Sequence, residues 1–227
     1  MSVDLLFDEE LPPDHRSGFV TIAGRPNVGK STLLNYLLGQ KLAIVSPKPQ
    51  TTRNQLLGIL TLPTRTFPDL AGQVIFVDTP GIHTPHHELG EYLLETAQNA
   101  LPEADVIVWL ADVTRLPGPE ESLVVDSIRA ARDRAAELPV ILALNKLDML
   151  LPNQEVLDET AAHFLRLFPE VNEQLFISAT RGDNCDELLR LIVRYLPPGP
   201  RFFPEEQVTD QHVRFLVAEL IREAALT

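Results

Sequence analysis

From position 19 onward, short apolar runs alternate with stretches whose apolar residues recur every three or four positions. Residues 19–23, 73–77, 106–111, 140–144 and 175–177 are apolar with little interruption, the pattern of strands covered on both faces and hence parallel to their neighbours. Between them, Leu89, Tyr92, Leu93, Thr96, Ala97 and Ala100 follow the spacing of a helix with one buried face. The sets Leu157, Ala161, Phe164, Leu165, Phe168 and Leu188, Leu189, Ile192, Leu196 repeat that spacing, and residues 33–38 add a helical run. Regular alternation of this kind predicts a doubly wound α/β domain whose ligands lie at the carboxyl ends of its strands. Residues 55–61 predict one further strand, paired at the sheet edge.

The two ends of the chain read differently. Residues 1–17 combine Pro12 and Pro13 with Asp4, Asp8, Glu9, Glu10 and Asp14, the composition of a mobile acidic tail. Pro197, Pro198, Gly199 and Pro200 end the domain, which spans 18–197, and open a proline-punctuated linker over 198–210. Residues 211–227 predict a helix with Val213, Leu216, Val217, Leu220, Ile221 and Ala224 on one face. That stripe requires burial, either against the α/β domain or as the first helix of a second domain.

Composition narrows the function. A chain of 227 residues with 44% apolar content fills a sizeable core. Lys and Arg number 19 against 32 Asp and Glu, and the net charge of −13 opposes a broad nucleic-acid surface. Any polyanion bound here must be small and locally compensated. The single cysteine, Cys185, excludes an intrachain disulfide and a thiolate cluster, and its acidic neighbours oppose a reactive thiolate. With no apolar run of about 18 residues and no secretory leader pattern, a soluble cytoplasmic protein is expected.

Local compensation is present at one place. Gly24, Arg25, Pro26, Asn27, Val28, Gly29, Lys30 and Ser31 spell G-x-x-x-x-G-K-S directly after a predicted strand and before a helix, with Thr32 next. The glycines let successive N–H groups point at phosphate oxygens, Lys30 neutralises the terminal phosphates and Ser31 offers a hydroxyl to Mg2+. Asp78, Thr79, Pro80 and Gly81 end the second predicted core strand; the carboxylate can hold Mg2+ and Gly81 can give an N–H to a γ-phosphate. Asn145, Lys146, Leu147 and Asp148 follow residues 140–144, and a carboxylate there can accept from both N1–H and the exocyclic amine of guanine, an arrangement adenine does not offer. Ser178, Ala179 and Thr180 follow the last predicted strand, where the Ala179 N–H can meet guanine O6. Three motifs in order and in register point to a guanine nucleotide.

These stretches, GRPNVGKSTLLNYLLGQKLAIVSPKPQTTRNQLLGIL, VDTPGIHTP, NKLD and SAT, resemble the translation-factor-like branch of small GTPases, and within it the Era family of bacterial ribosome-assembly GTPases, over residues 18–200. The resemblance implies a Ras-like P-loop domain: a mostly parallel six-stranded sheet with helices on both faces and one antiparallel edge strand. It implies a switch I at 46–54, in which Thr52 binds Mg2+ and the γ-phosphate, and a switch II at 82–90. It implies that Asn27 holds a potassium ion against the phosphates; a brace for the turn is the other reading of that side chain. Lys30, Thr52, Gly81 and Asn27 would then act on the reacting phosphate, with GTP or GDP and Mg2+ as cofactors. Full-length members carry a C-terminal KH domain that contacts 16S rRNA of the small ribosomal subunit. No glycine follows Gly199, so the GXXG clamp of that module is absent and RNA binding by this chain alone is not expected. The resemblance further implies a monomer with peripheral contact at the inner membrane.

Other readings weighed are a transporter-type or kinase ATPase, opposed by Asn145 with Asp148, and the G domain of a tRNA-modification GTPase, opposed by the K-P-Q-T-T-R run. Ile82 stands where Ras-type enzymes carry a water-orienting glutamine, so slow intrinsic hydrolysis is expected. His83, His86 and His87 read as loop histidines, Trp109 as core, and Arg25, Arg53, Glu120, Glu121, Arg129, Arg132, Asp133 and Arg134 as solvated charge.

Overall fold

The computed structural model describes residues 11–45, 56–64, 67–85, 88–135, 137–150 and 153–226. Six strands, β1 (Arg16–Ala23), β2 (Leu56–Leu62), β3 (Gly72–Asp78), β4 (Val106–Asp112), β5 (Val140–Asn145) and β6 (Glu173–Phe176), form one sheet in the order β2-β3-β1-β4-β5-β6. All neighbours are parallel except β2, which runs antiparallel to β3 at the edge. The helices are α1 (Lys30–Leu38), α2 (Glu88–Ala100), α3 (Pro119–Arg132), α4 (Gln154–Leu167), α5 (Cys185–Tyr195) and α6 (Val213–Leu226). The predicted six-stranded, doubly wound α/β architecture is the one observed.

Strand alternation divides the interior into two cores. Val106, Val108 and Leu110 of β4 pack with Leu33, Leu34 and Leu37 of α1 and Leu188 and Ile192 of α5. Ile107, Trp109 and Ala111 point the other way, toward Ala97 of α2, Val124 and Ile128 of α3 and Phe164 of α4. Every residue of β3, β4 and β5 is buried because both faces are covered, which is why these strands read as unbroken apolar runs. Trp109 is core as expected, with Phe164 and Phe168 edge-on at 6.0 and 6.4 Å.

Four elements of the fold differ from the sequence reading. The last strand begins earlier than position 175 and stops before Ile177, because pairing of Ile141 with Glu173 extends the ladder over polar residues that an edge strand leaves half-exposed. On α2 the buried set is Gly90, Leu93, Ala97 and Ala100; Leu89 and Tyr92 face solvent, since the helix turns Gly90 toward Pro85 and Ala97 into the second core. The expected tail does not reach residue 17: Arg16 and Ser17 are in β1, the Ser17 N–H donates to Pro197 O (3.1 Å), and buried His15 bonds Gly199 O through Nδ1 (2.7 Å). Residues 198–210 are a strap rather than a free linker. The Ile59 N–H donates to Val208 O (2.9 Å), Gly58 bridges Thr209 across the β2 edge, and the Phe202 ring meets that of Phe19 at 5.4 Å, tilted by 58°. At the start of α6, Phe215 packs against the first core, whereas Val217 and Ile221 are exposed.

Gln73 of β3 holds the strap. It is fully buried; its Oε1 accepts the N–H groups of Phe202 (2.8 Å) and Phe203 (2.9 Å), while Nε2 donates to Phe203 O (2.8 Å) and Thr61 Oγ1 (3.0 Å). Every hydrogen-bonding position of the amide is used. Gln73→Leu strands those backbone groups and is expected to cost about 2–4 kcal/mol, read by urea denaturation, with faster hydrogen exchange at Phe202 and Phe203. Unchanged stability and exchange would contradict this latch.

Candidate nucleotide-binding site

The loop from Gly24 to Gly29 joins β1 to α1 and curls tightly. Asn27 (φ 61°) and Gly29 (φ 105°) are left-handed, and a Cβ on Gly29 would lie 2.4 Å from Asn145 Nδ2, so glycine is required there by both conformation and space. Val28 is buried and Asn27 is exposed on the crest of the loop. Gly24 abuts the Leu110 carbonyl, where a Cβ would stand 2.4 Å away. At the head of α1, Lys30 is buried and its Nζ donates to Gly24 O (3.1 Å) and Arg25 O (2.8 Å). Burial lowers its pKa from 10.5 to about 8, against the negative charges of Asp78 and Glu121, which raise it; Arg25 adds to the lowering.

Ser31 and Asp78 meet across the β3 end, the Ser31 hydroxyl donating to Asp78 Oδ2 (3.1 Å). A buried carboxylate oxygen beside a hydroxyl is a donor set suited to a hard divalent cation such as Mg2+. Thr32 follows, half-buried. The loop after β3 is pressed onto the phosphate loop: a Cβ on Gly81 would lie 2.6 Å from Pro26 N, and the Ile82 N–H donates to Gly24 O (3.1 Å). Ile82 is fully buried in the second core, and His83 Nδ1 bonds Gly81 O (2.8 Å). Thr51, Thr52, Arg53, the rest of 46–54, and His86 and His87 lie outside the described residues. Among the described residues no group of three His, Cys, Asp or Glu side chains could hold a metal, and no helix is long and apolar enough to cross a membrane.

On the opposite side, the β5 end meets the loop after β6. Asn145 donates from Nδ2 to Val28 O (2.7 Å) and accepts the Ala179 N–H on Oδ1 (2.9 Å). Lys146 is left-handed (φ 71°), and its Nζ reaches Asp112 Oδ2 (2.7 Å). Burial pushes the Asp112 carboxyl up, but hydrogen bonds from Lys146 and Thr114 outweigh it and hold the pKa below the ordinary value. Asp148 accepts the Ser178 hydroxyl on Oδ1 (2.6 Å), and Ser178 Oγ in turn accepts the Arg181 N–H (3.1 Å). Ser178 and Ala179 are buried and Thr180 is exposed.

Sequence reasoning assigned one donor differently. The Ala179 N–H expected to face guanine O6 is directed at Asn145, because the side-chain carbonyl of Asn145 lies between the two loops. Reasoning from sequence also missed a buried charge network. Glu121 is fully buried, not solvated: its Oε1 accepts the Trp109 indole N–H (2.9 Å) and its Oε2 the Arg25 Nε–H (2.5 Å). Arg25, with 13% of its side chain exposed, also stands 3.7 Å from Glu120 and is no surface cation. The signal lay in the spacing: Glu121 precedes Val124, Val125 and Ile128 by three, four and seven positions, so it occupies the buried face of α3.

A phosphate loop, an Asp-Thr-Pro-Gly turn and an Asn-Lys-Leu-Asp turn thus stand at the carboxyl ends of β1, β3 and β5 of one sheet. The 50S ribosome-binding GTPase family matches residues 19–146. The chain is 42% identical over 214 residues to the GTPase Era of Alkaliphilus metalliredigens, covering 93% of this chain and 67% of that one. It is 44% identical over 211 residues to the GTPase Era of Clostridium botulinum, covering 93% and 66%. It thus spans about two thirds of the length of these relatives. A variant Era of Aquifex aeolicus bound to GDP·AlF4− superposes with a TM-score of 0.81 at 42% identity, covering 92% of this chain and 67% of that one. An Era in complex with MgGDPNP and nucleotides 1506–1542 of 16S ribosomal RNA superposes with a TM-score of 0.80 at 40% identity, covering 93% and 67%. With that identity running through β1–β6 and the loops between them, the chain belongs to the Era family of GTPases.

Proposed function

We propose that this chain is the nucleotide switch of a small-subunit ribosome-assembly factor, binding GTP with Mg2+ and hydrolysing it to GDP and phosphate during 16S rRNA maturation. The observation that carries the guanine reading is the Asp148–Ser178 pair: a hydroxyl 2.6 Å from Oδ1 fixes the carboxylate in the turn after β5, beside the loop after β6. Val28, Gly29 and Lys30 with Gly24 would cradle the phosphates, and Asn145, Lys146, Asp148, Ser178, Ala179 and Thr180 would surround the base. Mg2+ would be held by Ser31 and Asp78, joined by Thr52, and would supply positive charge against the terminal phosphates. Gly81, pressed against Pro26, would sense the γ-phosphate through its N–H. Since Ile82 is buried in the core, the position after Gly81 offers no side chain to orient water, and hydrolysis is expected to be slow.

The exposed Asn27 supports a further part of this reading, a potassium ion held by its amide oxygen and lending charge to the phosphates. The 16S rRNA contact is supported by the neighbour solved with such RNA, and we place it in a KH domain of which Val213–Leu226 would be the first helix. On a chain of net charge −13 the α/β domain alone would bind RNA poorly, and it would work as a cytoplasmic monomer with peripheral contact at the inner membrane.

Three outcomes follow. Asp148→Asn is expected to shift preference from GTP toward xanthosine triphosphate by at least about a hundredfold in competition binding, because an amide donates where the carboxylate accepted; unchanged preference would refute the base assignment. Single-turnover phosphate release is expected to be about tenfold faster in KCl than in NaCl at equal ionic strength; equal rates would remove Asn27 from the reaction. A phosphate beside Lys30 favours its charged form, so GDP binding takes up protons above about pH 8 and calorimetric affinity falls as pH rises through that value. Affinity flat from pH 7 to 10 would show that the ammonium does not meet the phosphates.

A further inference from the structure

Outside the loops that would touch nucleotide, a buried chain of polar contacts runs from the sheet centre to the phosphate loop. Trp109 of β4 stands beside Ala23, the last residue of β1. Its indole N–H ends on Glu121, and Glu121 ends on Arg25. Arg25 and Gly24 supply the two carbonyls on which the Lys30 ammonium rests, and Gly24 O also receives the Ile82 N–H from the loop after β3. A buried carboxylate costs several kcal/mol unless paired and hydrogen-bonded, and here both oxygens are taken. Glu121 lies on α3, outside every motif proposed to contact nucleotide, and reaches the phosphate loop through Arg25.

We propose that Glu121 is a positioning residue for the phosphate loop: clamped between the Trp109 indole and the Arg25 guanidinium, it fixes the Gly24–Arg25 segment that carries Lys30. The inference rests on the nucleotide binding proposed above. Replacing either Glu121 or Arg25 breaks the same hydrogen bond and frees the same segment, while Glu121 alone also holds the Trp109 indole.

That shared bond gives the test. GDP binding with Mg2+ is measured by calorimetry for the wild type, Glu121→Gln, Arg25→Gln and the double variant, with thermal melts to verify folding. The amide of Glu121→Gln keeps an acceptor for Trp109 but turns a donor toward Arg25. Each single variant is expected to weaken GDP binding about tenfold, and the double variant no further than the weaker single, because both break one bond. Emission from Trp109, the single tryptophan, is expected to change on GDP addition in the wild type and to lose that response in Glu121→Gln. Affinity within about two- to threefold of the wild type in the folded variants, or a loss with the Trp109 response retained, would reduce Glu121 to a structural residue and overturn the proposal. Should Glu121→Gln fail to fold, Arg25→Gln decides alone: a loss of about tenfold supports the proposal and unchanged affinity ends it. A wild type that does not bind GDP at all would instead refute the nucleotide reading beneath it.

Discussion

One side-chain amide joins the two halves of the site. Asn145 donates to the carbonyl of Val28 in the phosphate loop and accepts from the N–H of Ala179 in the loop after β6. These loops belong to opposite ends of the chain order, and the amide holds them at a fixed separation. Gly29 has no side chain because Asn145 occupies that space, and Ser178, next to Ala179, sets the carboxylate of Asp148. Phosphate and base ends of a nucleotide could not be met together if this spacing drifted. The asparagine that opens the Asn-Lys-Leu-Asp motif is thus first a tie between loops.

Around this tie, charge is managed locally in a strongly acidic protein. Lys30 and Arg25 are largely withdrawn from solvent and Lys146 partly so, and each faces carbonyls or carboxylates: Gly24 and Arg25 carbonyls for Lys30, Glu121 for Arg25, Asp112 for Lys146. Burial strengthens the pairing of Arg25 with the fully buried Glu121. Each of these cations is compensated where it stands, within a chain of net charge −13.

Much of this was legible in the chain before any coordinates. Both-face burial of β3, β4 and β5 leaves unbroken apolar runs, and the loops with special backbone demands announce themselves through glycine and polar residues at strand ends. What stayed hidden was tertiary. Glu121 looked solvated because its charge outweighed its place on the buried stripe of α3, and only Trp109 and Arg25, distant in sequence, make that burial tolerable. Residues 198–210 looked like a linker because prolines suppress regular structure, yet Gln73, buried in an apolar strand, was itself the sign of a backbone partner still to be placed. The α2 stripe was misread by rotation: Leu89 and Tyr92 are the larger side chains, but it is Gly90 that lies against Pro85 and Ala97 that enters the second core.

The most direct measurement of this account is the GDP affinity of Asn145→Ala, determined by calorimetry on protein shown to be folded. Two hydrogen bonds between loops are lost at once, and the account predicts binding weakened by about a hundredfold, with faster hydrogen exchange at Ala179. Affinity within a factor of about two or three of the wild type in a folded variant, well under one lost hydrogen bond, would contradict it, since the two loops would then hold their spacing without the amide that joins them.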